Sequence, residues 1–162
     1  MDFPETREEY LGEDLSFEDL KKTHFVYPLV RWELEPFPYQ GHILDIGGGG
    51  EGVIGSLMGP DVIAIDIQED ELLEAPDGPL KIIMDARDLQ FLDGSFQTAT
   101  AFFSLMYLKT REDQLRVLRE ISRVLGSGGI LHLWEIDLGH KPDTEYEIYI
   151  VHLEYVLRGK SK

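Results

Sequence analysis

An α/β fold with an open, mostly parallel, doubly wound sheet is what this 162-residue chain predicts, and three observations carry that expectation. Five short apolar runs recur between residues 43 and 137, each nearly continuous rather than alternating, as strands buried on both faces of a parallel sheet must be. Helix-compatible or loop segments separate the runs, the arrangement that builds a parallel sheet from crossover units. The first run ends in Gly47, Gly48, Gly49 and Gly50, and the apolar, helix-compatible Val53, Ile54, Leu57 and Met58 follow. That order reads as strand, tight turn and helix start.

Taken in order, residues 1–15 are acid-rich and without period, and read as a lead-in. Ser16-Phe17-Glu18-Asp19 can cap a helix carrying Leu20, His24 and Tyr27 on one side, with Pro28 interrupting it. A second short helix over 29–35 is expected to end at Pro36-Phe37-Pro38. Residues 1–40 thus form an N-terminal helical segment, and 41–162 the domain proper. In an α/β fold that segment packs across the ligand edge of the first strand, as a lid or as plain core. Strands are expected at Ile43–Ile46, Val62–Asp66, 81–85, 98–105 and 130–137, with 68–75 among the helical or loop connections. The strongest helix spans 111–125. Thr110 caps it, Glu112 and Asp113 suit its positive end, Leu115, Leu118, Ile121 and Leu125 form its apolar stripe, and Gly126 can close it. The tail, 145–157, is dense in aromatic and β-branched residues and reads as one long strand.

Composition bounds the function. A hydrophobic share of 43% is enough for one real core. The absence of cysteine excludes disulfides, cysteine-ligated zinc, iron–sulfur clusters and thiol catalysis, and no metal centre is expected. Acids outnumber bases 31 to 15, a net charge of −16, which opposes nucleic-acid binding because phosphates must be neutralised. No apolar run approaches the roughly 20 residues that span a bilayer, and the acidic start is unlike a signal or transit peptide. A cytoplasmic protein is the expectation.

The glycine cluster has a physical task. Without Cβ atoms the turn can take positive φ and its backbone can approach a ligand closely, while N–H groups and a helix start present positive partial charge. Three acids fall at the ligand ends of consecutive strands: Asp45, Asp66 and Asp85. Asp66 follows Gly47 by 19 residues, a separation suited to a carboxylate accepting from ribose hydroxyls. Asp85 is placed to accept from an exocyclic amino group, and Ala86 leaves room for a base edge. Each acid alone reads equally as a turn or cap residue; three behind a glycine cluster weaken that reading. Gly47, Gly49 and Gly52 also match the dinucleotide pattern GxGxxG, and Asp66 would serve a dinucleotide ribose too.

At these residues the chain resembles the class I S-adenosylmethionine-dependent methyltransferases, over about residues 40–137. Ile43-Leu44-Asp45-Ile46-Gly47-Gly48-Gly49 is similar to the family's first motif, and Met84-Asp85-Ala86 with Leu89 to Phe96 to its adenine-binding stretch. Arg123-Val124-Leu125-Gly126-Ser127-Gly128-Gly129 resembles the turn before the fifth strand in the small-molecule branch, which includes ubiquinone and menaquinone biosynthesis enzymes. The resemblance implies a Rossmann-like fold and S-adenosyl-L-methionine as cofactor. It implies that Asp45, Gly47, Gly48 and Gly49 hold the methionine end, with Phe103 beside it. Asp66 would bind the ribose, Ile67 pack on the adenine, and Asp85 and Ala86 meet its edge. Two departures stand out. Glu51 occupies the place of a third glycine, and the chain has sequence for one final antiparallel strand where the family has two. An exposed strand edge invites pairing, so a homodimer through 145–157 is expected.

The implied activity is methyl transfer to a small-molecule acceptor. The alternatives are a catalytically reduced cofactor-binding module working with a partner protein, and an NAD-type dinucleotide-binding protein. Glu135 and Asp137, on one face of the fifth strand, are candidate bases; His132 lies on the other face and reads as a packed histidine. Tyr27 and Tyr107 are placed to line either an acceptor pocket or the core. No catalytic residue is assigned.

Overall fold

The computed structural model describes residues 22, 24–27, 30–135, 149–151 and 153–159. In chain order the strands are β1 (Phe25–Val26), β2 (Val30–Leu34), β3 (Ile43–Ile46), β4 (Val62–Asp66), β5 (Leu80–Ile83), β6 (Phe96–Phe102), β7 (Leu125–Trp134), β8 (Tyr149–Ile150) and β9 (Leu153–Leu157). The helices are α1 (Val53–Met58), α2 (Glu69–Glu74) and α3 (Arg111–Val124), with short 3-10 turns at Gly59–Asp61 and Leu105–Tyr107.

Contacts divide the chain into two compact units, one of residues 34–138 with 157–162 and one of 1–33 with 139–156. The larger unit holds a five-stranded sheet in the order β5-β4-β3-β6-β7, parallel at every pairing. Successive residues point to opposite faces, and each face meets its own helices. Leu44, Ile46, Ile65, Ala99 and Ala101 pack with Val117, Ile121 and Val124 of α3. Ile43, Val62 and Ala64 pack with Ile54 of α1 and Leu72 of α2. Helices on both faces explain why these strands read as unbroken apolar runs. The chain order reverses between β3 and β6, so the ends of these two strands flank the crevice where open α/β sheets bind ligands. In the smaller unit β1 runs parallel to β8, Phe25 facing Tyr149 and Val26 facing Ile150; β2 pairs with β9.

Several expectations change. Residues 30–34 are strand, not the second helix expected over 29–35. Val30, Trp32 and Leu34 alternate with Arg31 and Glu33, and burial follows that period of two. The helix expected to carry Leu20, His24 and Tyr27 falls largely outside the described residues, and Phe25–Val26 within it is strand. The long strand expected over 145–157 is two short ones, 145–148 lying outside the described residues, and β8 is parallel to its partner rather than antiparallel. Strand propensity marks such a segment as extended without choosing its partner.

Boundaries shift as well. β5 ends before Asp85, β6 ends before Leu105, and β7 begins at Leu125 rather than at 130. The helix of 111–125 ends at Val124 with Leu125 already extended, so Gly126 is a strand residue and not the cap. Register shifts between Phe96 and Thr98 where β6 meets this glycine-rich entry to β7, and Gly128 there takes φ +79°. Thr110 caps α3 as expected, accepting from Asp113 N. The buried stripe of α3 is Val117, Ile121 and Val124, whereas Leu115 and Leu118 are exposed.

Candidate cofactor site

The glycine turn leaves β3 directly. Gly47, Gly50 and Gly52 take φ of +69°, +57° and +50°, while Gly48 and Gly49 keep ordinary backbone angles. Their neighbours show why Gly48 and Gly49 are also glycines. A Cβ on Gly48 would lie 2.6 Å from Asp45 Oδ2 and 2.8 Å from Ala64 Cβ, and one on Gly49 would lie 2.9 Å from Asp66 Oδ2 and 2.6 Å from Glu71 Cβ. A Cβ on Gly47 would collide with Ser104. The cluster therefore makes room for the fold's own side chains as well as for a ligand. Three of its amides are bonded within the protein: Gly48 N donates to Ile65 O at 2.9 Å, Gly50 N to Glu71 O at 2.7 Å, and Gly52 N to Gly49 O at 3.1 Å. Glu51, where a third glycine was expected, is exposed.

Asp45 is 2% exposed and lies opposite Thr100 of β6 in register. Thr100 Oγ1 donates to Asp45 Oδ1 at 2.6 Å. Burial raises the pKa of the carboxyl, the threonine bond opposes the rise and neighbouring Asp66 adds to it, for a net value of about 7. Asp66 ends β4; its Oδ1 accepts from Gln68 N at 2.9 Å, and its Oδ2 faces Gly49. Glu71 of α2 reaches the same turn, and burial followed by repulsion from Asp66, Glu74 and Asp70 raises its pKa. Carboxyl groups on three elements thus meet at one glycine turn; Asp66 and Glu71 make it an environment that favours a cationic ligand and disfavours a pyrophosphate, while Asp45 lies buried beneath it.

Asp85 lies two residues past β5, and Arg87 already occupies it. Asp85 Oδ1 accepts from Arg87 N at 2.8 Å and Oδ2 from Arg87 Nη2 at 2.8 Å, and this contact holds its carboxyl below the usual range. Ala86 is half-buried beside it, and Ile67, next to Asp66, is 58% exposed. Phe103 follows β6 with φ +51°, and Ser104 Oγ is buried without a hydrogen-bond partner. The structure thus gathers Asp45, Gly47, Gly48, Gly49, Asp66 and Ser104 at one turn; Asp85 is engaged elsewhere by its own salt bridge.

Glu135, a candidate base, is engaged by backbone: its Oε1 accepts from Leu105 N at 2.8 Å, while burial raises its pKa. His132 is packed, its ring stacked on Phe37 at 4.3 Å, with burial lowering its pKa. Asp137 lies outside the described residues. Tyr107 is 78% exposed and belongs to no core, and Tyr27 is half-buried in the smaller unit. Sequence reasoning missed Thr100, Ser104, Glu71 and Arg87. Arg87 carried a local signal, a donor two residues after an aspartate; the others meet the turn only through strand and helix pairing. Among the described residues no group of three His, Asp or Glu side chains could hold a metal ion, and no helix is long and apolar enough to cross a membrane.

Comparison with known proteins agrees with this fold. Residues 44–133 match a family described as a methyltransferase domain. Among solved structures, an S-adenosylmethionine-dependent methyltransferase from Methanosarcina mazei is 27% identical, with a TM-score of 0.53 over 62% of this chain and 57% of that one. A protein from Pyrococcus horikoshii is 27% identical with a TM-score of 0.54, over 62% and 51% of the two chains. A methyltransferase from Thermotoga maritima, described as a possible histamine N-methyltransferase, is 26% identical with a TM-score of 0.51, over 60% and 44%. The chain spans about half the length of these structures. No curated protein matches it.

Proposed function

The chain belongs to the class I S-adenosylmethionine-dependent methyltransferase family, and on that premise we propose that it transfers a methyl group from S-adenosylmethionine to a small-molecule acceptor. The observation that carries the reading is the glycine turn flanked by Asp66 and Glu71, with Asp45 buried beneath it. Negative charge there suits a sulfonium and an ammonium group, and it works against the pyrophosphate of a dinucleotide even though the GxGxxG pattern is formally present. The buried, unpartnered hydroxyl of Ser104 against Gly47 offers a further polar contact.

In this reading Asp45, Gly47, Gly48 and Gly49 hold the methionine end and Asp66 accepts from the ribose with the oxygen that faces Gly49. Ile67 presents an exposed apolar surface to the adenine, Asp85 and Ala86 meet its edge, and Phe103 borders the sulfur. Asp85 contributes least, because Arg87 already binds both its oxygens. When bound, S-adenosylmethionine supplies an electrophilic methyl group on a positively charged sulfur. The chain's own part is to bind, orient and exclude water, and no general base is assigned. The negative charge supports an acceptor other than nucleic acid, and a cytoplasmic location is part of the same proposal.

Calorimetric titration tests it. Asp66→Ala should weaken S-adenosylmethionine binding by about 1–3 kcal/mol through loss of charge-assisted hydrogen bonds. Unchanged affinity would remove Asp66 from the site. The proposed homodimer pairs through the 145–157 segment; among the described residues β8 pairs with β1 and β9 with β2. A monomer by light scattering at micromolar concentration would end it.

A further inference from the structure

The ends of β6 and β7 are braced by a side chain that the cofactor reading leaves without a task. β6 stops at Phe102, and Phe103 takes φ +51°, a backbone state that costs a non-glycine residue roughly 1–2 kcal/mol. Phe103 N still donates to Trp134 O at 2.9 Å, so the ladder keeps its last rung while the chain turns away. The 3-10 turn Leu105–Tyr107 follows, and the leading amides of any such turn lack an acceptor within it. Glu135, the residue after β7, supplies one. Its Oε1 accepts from Leu105 N at 2.8 Å; burial raises its pKa, and the backbone N–H groups of Leu105, Met106 and Ser104 offset part of that rise. The carboxylate's hydrogen bond is thus to backbone of the loop, not to a side chain.

What the brace holds matters more than the brace. The loop carries Ser104, which packs on Gly47 so closely that no side chain fits between them. It also carries Met106, which is 49% exposed, and leads into Tyr107, which is 78% exposed. We propose that Glu135 is a positioning residue that clamps the 103–106 loop against the glycine turn and so sets the width of the cofactor cradle. This rests on the methyl-donor reading and gives the acid that follows the fifth strand a backbone-binding task. Phe103 keeps its strained conformation because the bonds on either side, Trp134 O and Glu135, fix both flanks of the turn.

The test compares Glu135→Ala and Glu135→Gln with the wild type by amide hydrogen exchange, thermal melting and calorimetric titration with S-adenosylmethionine. Glu135→Ala should speed exchange at Ser104, Leu105 and Met106 by about tenfold or more. It should weaken cofactor binding about tenfold, equivalent to about 1.4 kcal/mol. Glu135→Gln, which keeps one acceptor oxygen, should recover part of both losses while melting within a few degrees of Glu135→Ala, so that affinity tracks the loop and not global stability. Unchanged exchange in both variants would overturn the clamp. Faster exchange with unchanged affinity would overturn its role in the cradle. If Glu135→Ala does not fold, Glu135→Asp takes its place in the comparison. Wild-type protein that bound no S-adenosylmethionine would refute the methyl-donor reading alone, and the exchange comparison would still decide the clamp.

Discussion

Replacing Asp45 by asparagine removes a buried carboxyl whose proton the fold holds unusually tightly, and the consequence can be worked through. The folded group titrates at about 7, against about 3.9 in an unfolded chain. The pKa is raised on folding, so between these values the native state binds a proton that the unfolded state has released. Stability from this group is therefore fully present below about pH 4, falls as pH rises, and is lost above about pH 7. A shift of about 3 units at about 1.4 kcal/mol per unit makes the total about 4 kcal/mol. Urea unfolding of wild type and Asp45→Asn at intervals from pH 4 to pH 8 reads the effect, because acids that do not interact with Asp45 cancel in the difference. The wild type should lose about 4 kcal/mol relative to the variant across that range. Thr100→Val, which deletes the bond favouring the charged form, should move the midpoint to higher pH. Parallel curves for wild type and Asp45→Asn would refute the reasoning.

Two further predictions concern packing. Gly48→Ala puts a methyl group 2.6 Å from Asp45 Oδ2 and 2.8 Å from Ala64 Cβ, between strands that cannot separate. It should cost about 1–3 kcal/mol in chemical denaturation, and a neutral result would show that the turn gives way. In α3, Val117→Ala removes a fully buried side chain and should cost about 1–3 kcal/mol. Leu115→Ala, at a side chain 42% exposed, should stay within about 0.5 kcal/mol. Equal costs would contradict the helix orientation.

The sheet was legible because burial on both faces writes itself into continuous apolar runs, and β3 and β4 fall where the runs at Ile43–Ile46 and Val62–Asp66 place them. The N-terminal strand β2 was equally visible as an alternation of Val30, Trp32 and Leu34 with charged residues, but flanking prolines suggested a helix between breaks. In α3 the leucines at 115 and 118 outweighed the smaller valines at 117 and 124, although the valines face the sheet. Hydrophobicity alone does not fix a stripe when apolar residues occur on more than one side. The site divided in the same way. Asp45, Asp66 and the glycines announce themselves at strand ends, whereas Thr100 reaches Asp45 only through the pairing of β3 with β6. Asp85 shows the converse, an acid in the expected place whose oxygens a residue two positions on has taken.

Calorimetric titration of the wild-type chain with S-adenosylmethionine, its demethylated product and NAD tests the central claim most directly. A turn flanked by Asp66 and Glu71 over the buried Asp45 predicts one site per chain for the methyl donor, binding of the product at the same site, and no measurable binding of NAD. Tight binding of NAD with none of the sulfur ligands would contradict it.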